Sequence, residues 1–308
     1  KVKILYSGIN KPLNSITLRI IYFTFFVLFS FNGAQAQLDI SSIGSEYSVT
    51  FDETVTGVCS SEFNGTGFTP TPSSGQLDSD AFAITGFNDG SLSFGGSKTT
   101  GDFARGSSSG GVSTGGIYAF DIGSGDVILG IQPGGSDFTP GTITLRLENT
   151  TGSDINELSI TYKIHVYNDQ NRSNSLNFSY SSDDVSYTDV ASLNYSTPGA
   201  ASGSPEWAST SKSATLSSIS FSNGSYFYIR WTGNDDGGSG SRDEYGINDL
   251  TIDPQIEGLW KTSAASTDWA TSSNWDNGSV PNSSTDVTIP AGASNWPEIP
   301  GDVGTPSE

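Results

Sequence analysis

Between Thr142 and Ile252 the chain alternates apolar and polar positions with a period of two. In Thr142-Ile-Thr-Leu-Arg-Leu-Glu148 the side chains of Ile143, Leu145 and Leu147 share one face, with Thr144 and Arg146 on the other. That is the pattern of a half-buried strand. Leu158 to Tyr167 resumes it, with Leu158, Ile160, Tyr162, Ile164 and Val166 inward and Lys163, His165 and Tyr167 outward. Turn residues at 149–154 join the two, which predicts an antiparallel pair. Leu176 to Tyr180 is a further strand, followed by the polar turn 181–184. Ala214 to Phe221 leads through Asn223-Gly224, a hairpin signal, into Tyr226.

The stretch Tyr226 to Ile252 organises the rest. Residues 226–231 alternate aromatic and β-branched side chains, placing Trp231 in the core. Gly233 to Ser241 mixes glycine with Asn234, Asp235 and Asp236 and reads as an irregular acidic loop, after which a closing strand follows.

The earlier half is looser. Tyr47 to Phe51, Phe82 to Ile84, Ser91 to Phe94, Ile117 to Asp121 and Val127 to Ile131 are short strand candidates separated by glycine and serine. Apolar residues such as Phe87, Leu92, Phe103 and Phe120 recur among those glycines, so the loops are expected to be ordered. Helix signals are almost absent. Eight or more short strands with turns between them predict an all-β fold, a two-sheet β-sandwich or jelly roll.

Composition shifts at Asp253-Pro254, beyond which four of the six tryptophans fall between Trp260 and Trp296. The segment 255–308 therefore reads as the start of a second, Trp-rich β module, truncated, after a sandwich over 37–254. With no methionine and no terminating feature at Glu308, the sequence is expected to be part of a longer protein whose further domains are partners of this one.

Residues 1–36 have the layout of a secretory signal peptide. Lys1, Lys3, Lys11 and Arg19 precede the apolar run Ile20 to Phe31, and Ala34-Gln35-Ala36 supplies small residues for cleavage. The run is too short to span a bilayer, so no membrane insertion is expected after cleavage. Removal of those four basic residues leaves nine against 33 acidic ones. A field of that sign repels phosphate, which argues against nucleic acid as partner and favours divalent cations. The expected location is secreted, extracellular or cell-surface. Cys59 is the single cysteine, so no intramolecular disulfide frames the fold.

Three segments, Gln76-Leu-Asp-Ser-Asp-Ala-Phe-Ala-Ile-Thr-Gly86, Thr100-Gly-Asp-Phe-Ala-Arg-Gly106 and Gly240-Ser-Arg-Asp-Glu-Tyr-Gly-Ile-Asn-Asp249, resemble modules of large secreted surface proteins of marine Gram-negative bacteria. The phrase Trp260 to Pro290 is similar to a segment that recurs in such proteins. The resemblance implies export and a jelly-roll-like fold. Gly246 to Ile252 also resembles the last strand of jelly-roll modules that bind sugars or act in adhesion; a double acid is common there, and Asn248 departs from it.

For catalysis the inventory is poor. Acyl-transfer triads and Cys-His pairs need an imidazole, and His165 is the single histidine, predicted to be an exposed strand residue. One His and one Cys do not make a zinc site. The glycine pairs precede no helix and lack a P-loop lysine, so they read as tight turns. Paired carboxylates for glycoside cleavage are available among the acids, but no spacing singles out a pair.

Asn234, Asp235, Asp236, Asp243, Glu244 and Asp249 offer hard oxygen ligands on a flexible backbone, as calcium requires. The expectation is a structural Ca2+ shared with an acid near the first strand, Asp52 or Glu53; the alternative is a solvated acidic turn in which Arg242 pairs locally. Trp207, in the polar connector 204–209, and outward-facing Tyr167 are candidate platforms for a pyranose ring. The resulting reading is a non-catalytic extracellular binding or adhesion module whose ligand is an extracellular polysaccharide or cell-surface glycan. Its rivals are a structural spacer and an accessory domain of an exported hydrolase.

Overall fold

A computed structural model describes residues 37–298. The expected signal peptide and the last ten residues of the Trp-rich segment lie outside that range.

Nine strands carry the architecture: β1 (Phe82–Phe87), β2 (Gly116–Asp121), β3 (Val127–Gln132), β4 (Gly141–Asn149), β5 (Ile155–Tyr167), β6 (Arg172–Ser181), β7 (Trp207–Phe221), β8 (Tyr226–Gly238) and β9 (Glu244–Gln255). They form two mainly antiparallel sheets, as the alternation predicts. The first runs β6-β8-β4-β1, extended by Gly90–Leu92 beyond β1 and by Thr188–Asp189 beyond β6. The second runs β7-β5-β9-β3-β2, with Ser107–Ser108 at its far edge. Two short N-terminal strands join opposite sheets, Leu38–Ile40 beside β4 and Tyr47–Val49 beside β9.

The inner faces meet in one apolar cluster. Across β4 and β8 the pairs Ile143–Trp231, Leu145–Ile229 and Leu147–Phe227 all point inward. Trp231 is 1% exposed and packs edge-on against Tyr162 and Phe178, each 5.6 Å away between ring centroids. Such ring pairs contribute about 0.5–1.5 kcal/mol beyond the area they bury.

Two expected pairings are corrected. The strands at 142–148 and 158–167 do not pair: β4 lies in the first sheet and β5 in the second, so 150–154 is an arch between sheets. Asn223-Gly224 likewise carries the chain from β7 in the second sheet to β8 in the first. A hairpin and an arch present the same alternation to a core, and the turn residues suit both. A third correction concerns 233–241. The strand β8 continues through Asp235 to Gly238 because β6 supplies a partner, pairing Asn174 with Asp235 and Arg172 with Gly238.

The closing strand holds a bulge. Thr161 pairs with Thr251 and Lys163 with Asn248, so β9 spends one extra residue there, and Asp249 takes a φ of +50°. The insertion switches parity: Tyr245 and Ile247 face the core before it, Leu250 and Ile252 after it.

Beyond β9, Trp260 and Trp275 are fully buried and meet edge-to-face at 4.9 Å, with Trp269 against Trp275 at 4.7 Å. They form a small separate cluster. Among the described residues this segment contains isolated bridges, such as Trp260 with Trp275, and a short 3-10 turn at Ser272–Asn274, but no longer strand. No helix among the described residues is long and apolar enough to cross a membrane.

Candidate binding site on the outer face of the second sheet

On β5 the outward positions before the end are Lys163, His165 and Tyr167. In register, Tyr167 faces Trp207 on β7 and Glu244 on β9, which sets Trp207, Tyr167 and Glu244 in one row. The sequence-predicted ring pair therefore comes together, with centroids 5.5 Å apart and both rings partly exposed. Trp207 is the first residue of β7, not part of a connector as expected, because its ladder with Tyr167 starts the strand.

Two rings that sequence reasoning left out complete the cluster. Phe120 on β2 lies 5.1 Å from Trp207 and stacks on Tyr118 at 5.1 Å. The strands β2 and β7 are four positions apart in the sheet, roughly 19 Å if it were flat. The middle of the face between them is glycine: Gly130 and Gly246 are paired, and a Cβ on Gly130 would stand 2.0 Å from the Phe120 ring.

A strap, residues 109–114, crosses this row. Trp207 donates its indole N–H to the carbonyl of Ser109 at 2.8 Å, the Val112 N–H donates to Glu244 Oε1, and the Tyr118 hydroxyl donates to the carbonyl of Thr114 at 2.9 Å. Gly110 rests on the Tyr167 ring with φ +106°; a Cβ there would approach ring carbons to 3.1 Å. This segment has no periodicity, and its glycine pair, read from the sequence as a tight turn, instead lets the backbone approach the Tyr167 ring.

The strap encloses acids. Asp243 and Glu244 are both 0% exposed. Gln170 N–H donates to Asp243 Oδ1 at 2.8 Å, while Asp243 Oδ2, Glu244 Oε2, Asp169 Oδ1 and Asn168 Oδ1 are buried atoms that receive no hydrogen bond. Burial pushes the Asp243 carboxyl up to about 6 and that of Glu244 up to about 7, and the neighbouring Asp169 charge acts in the same direction.

The other acids expected to join them do not. Asp235 is gripped by two of the three guanidinium nitrogens of Arg172, Nη2 at 2.6 Å and Nε at 2.7 Å, with Arg242 Nε at 3.4 Å, and Asp236 is exposed. The hydrogen bonds from Arg172 hold the Asp235 carboxyl below the usual range. Asp249 pairs with Lys163 at 2.7 Å. Asp52 accepts the Val127 N–H at 2.6 Å, and Asp126 lies near both Asp52 and Asp249, so burial and the charges of those two acids raise the Asp126 carboxyl. Asp249 is five residues along β9 from Glu244, about 17 Å at strand rise. The single shared site is thus replaced by two separate acidic groups, since strand length intervenes. Among the described residues no three Asp, Glu, His or Cys side chains form a metal site.

His165 is also corrected. Its parity is outward, but it is only 6% exposed, its Nε2 has no partner, and burial lowers its pKa. Its neighbours across the ladders are Ser209 and Gly246, too small to hold the ring out in solvent.

Beside the strap, at the same end of the sheet, opens a cleft of about 190 Å³, lined by Val112, Gln132, Gln170, Arg172 and Arg242 with the backbone of 133–135 and 240–241. Gln132 donates to the carbonyls of Pro133 and Arg242 at 2.8 and 3.0 Å, which fixes the amide and leaves its Oε1 without a donor. Arg242 Nη1 reaches the carbonyl of Gly135 at 3.4 Å. The arrangement is a small polar recess with planar amide and guanidinium groups, at the same end of the sheet as the ring pair.

No family model matches the chain, and no curated protein does. Among solved structures, it is similar to modules of an endo-1,4-beta-D-xylanase from Clostridium thermocellum complexed with xylohexaose (13% identity, 74% of this chain and 32% of that one, TM-score 0.32). It is similar also to the N-terminal cellulose-binding domain of a β-1,4-glucanase from Cellulomonas fimi (12%, 57% and 90%, TM-score 0.28). A third is an adhesin domain of Lys-gingipain from Porphyromonas gingivalis (10%, 44% and 78%, TM-score 0.28). At such scores the likeness assigns neither ligand nor activity; the two-sheet sandwich stands on its own strand pairing.

Proposed function

We propose that this chain is a non-catalytic extracellular binding module for carbohydrate, and that the cleft beside Tyr167 and Trp207 receives one sugar unit of a polysaccharide or cell-surface glycan. The observation that carries the reading is the in-register, partly exposed ring pair at the same end of the sheet as a polar recess, with the strap touching both: Ser109 accepts from Trp207, and Val112 lines the recess. A pyranose has an apolar face that an aromatic ring covers, and hydroxyls that need fixed donors and acceptors. Gln132, Gln170, Arg172 and Arg242 supply planar groups of that kind. The recess is smaller than the ~300 Å³ of a drug-sized pocket, on the scale of a single ring. Thermal unfolding of the full chain against neutral glycans tests the proposal: a ligand bound only by the folded state raises the midpoint, and W207A should abolish the shift.

One observation favours a structural spacer instead. The indole N–H of Trp207 is committed to Ser109, so the ring pair also pins the strap. On that reading W207A lowers the midpoint and no glycan raises it in the parent.

We propose further that calcium binds at Asp243 and Glu244, each of which keeps one buried carboxylate oxygen without a donor, with non-carboxylate oxygens as the remaining ligands. Calcium would supply positive charge that stabilises the ionised carboxylates where no cationic side chain does.

A further inference from the structure

The outer face of the first sheet carries a different kind of surface. Arg146 on β4 projects outward, as its alternation predicts, and its guanidinium carbon lies 4.6 Å from the Phe94 ring centroid and 4.5 Å from that of Tyr226. Phe94 in turn meets Tyr228, the residue opposite Arg146 on β8, at 5.9 Å. One step along, Arg230 lies 3.6 Å from the Tyr187 ring. Two arginines and four aromatic rings, all partly exposed, thus alternate over the middle of this sheet.

The two arginines differ in one respect. Of the five arginines among the described residues, Arg105, Arg172, Arg230 and Arg242 make ion pairs with carboxylates, and Arg146 makes none. Its Nε is buried without a hydrogen-bond partner. Glu148, two positions along the same strand, accepts from the amide of Gln37, and Asp78, which feels the Arg146 charge, accepts the Asp80 N–H at 2.8 Å. Asp78 is also buried enough to be pushed up to about 7, so it offers Arg146 only part of a charge at neutral pH.

A guanidinium flanked by two rings is held planar and desolvated, with its edge available for the forked hydrogen bonds that an oxyanion accepts. The protein's overall charge of −20 works against loose association with any anion, so an anion retained on this face must be held by local geometry. The surrounding Tyr226, Tyr228 and Phe94 rings suit the C–H face of a sugar carrying that oxyanion. We infer that Arg146 and its rings form a second glycan site, specific for sugar units that carry a carboxylate or sulfate group. It lies on the opposite sheet from Tyr167 and Trp207, so it stands or falls independently of the cleft.

The test measures binding of the full chain to polygalacturonate (carboxylate), a sulfated galactan (sulfate) and an uncharged galactan, by affinity electrophoresis or calorimetry, with poly-L-glutamate as an acidic peptide control. The expected result is binding to the carboxylated polymer, the sulfated one, or both, which names the oxyanion. R146Q should weaken that binding by about tenfold or more, with an unchanged unfolding midpoint, and Y167A should leave it intact. R146K serves if R146Q does not fold: it keeps the charge but lacks the fork and should also bind several-fold more weakly. Absence of binding to either acidic polymer, equal binding to poly-L-glutamate, an equal loss of uncharged-galactan binding in R146Q, or full binding by both Arg146 variants would overturn the assignment.

Discussion

Tyr167 and Trp207 face each other across the β5–β7 ladder with ring centroids 5.5 Å apart, and the same indole donates its N–H to Ser109 in the strap. Ladder, ring pair and strap therefore depend on one side chain. W207A should destabilise the fold by about 2–3 kcal/mol, less than a fully buried aromatic costs, and should raise amide exchange over 109–114. W207F keeps the ring and loses the hydrogen bond, and about 1 kcal/mol is expected. Chemical unfolding of the two variants checks this; a W207F variant as stable as the parent would mean that the indole bond does not hold the strap.

Asp243 and Glu244 titrate higher in the folded chain than in the unfolded one, at about 6 and about 7. The folded state then holds more protons between about pH 4 and pH 7, so this pair's contribution to stability falls as pH rises through that window. In chelator, the unfolding midpoint of the parent should rise on acidification from pH 8 to pH 5 more than that of D243N/E244Q. Calcium should raise the parent's midpoint at pH 8 and leave the variant unmoved. A parent indifferent to calcium at pH 8 would remove the proposed cation and leave protons as what relieves the buried charge.

Asp249 takes a φ of +50° at the bulge that switches the parity of β9. D249N and D249G, which accept that conformation, should cost less than about 1 kcal/mol, chiefly the exposed pair with Lys163. A β-branched residue does not accept it, and D249V should cost about 1–3 kcal/mol more. Denaturation midpoints of the three variants test the ranking.

Gly130 leaves room for Phe120 on the outer face of the second sheet. G130A places a methyl group into that ring, which must swing away from Trp207, and a loss of about 1–3 kcal/mol is expected. G130A/F120A should recover part of it. Failure to recover would indicate that backbone contacts, not the ring, exclude the methyl.

Alternation was enough to read the strands themselves. Ile143, Leu145 and Leu147, and Ile160 to Val166, face the core as their spacing implies, and the outward parity of Tyr167 was legible for the same reason. What alternation does not encode is which sheet a strand joins, so the turns at 149–154 and 222–225 were read as hairpins when they are arches. The acids were legible only as a composition. Glu244 and Asp249 are close in sequence, but a strand keeps them far apart, and a bulge then turns Asp249 toward Lys163. Asp169, three residues before the start of β6, gave no signal of its own and is brought to Glu244 by the pairing of Tyr167 with Glu244. The strap was least legible, because glycine and serine have no face to show; its position is set by Trp207, Tyr118 and Glu244, which reach it from three different strands.

The most direct test of the carbohydrate reading is calorimetric titration of the full chain with short neutral oligosaccharides, for the parent, Y167A and Q132A. The account predicts saturable binding of one sugar class, lost about tenfold or more in both variants while their folds persist. Binding that survives both substitutions, or no binding to any oligosaccharide, would contradict it and leave Tyr167 and Trp207 as anchors of the strap.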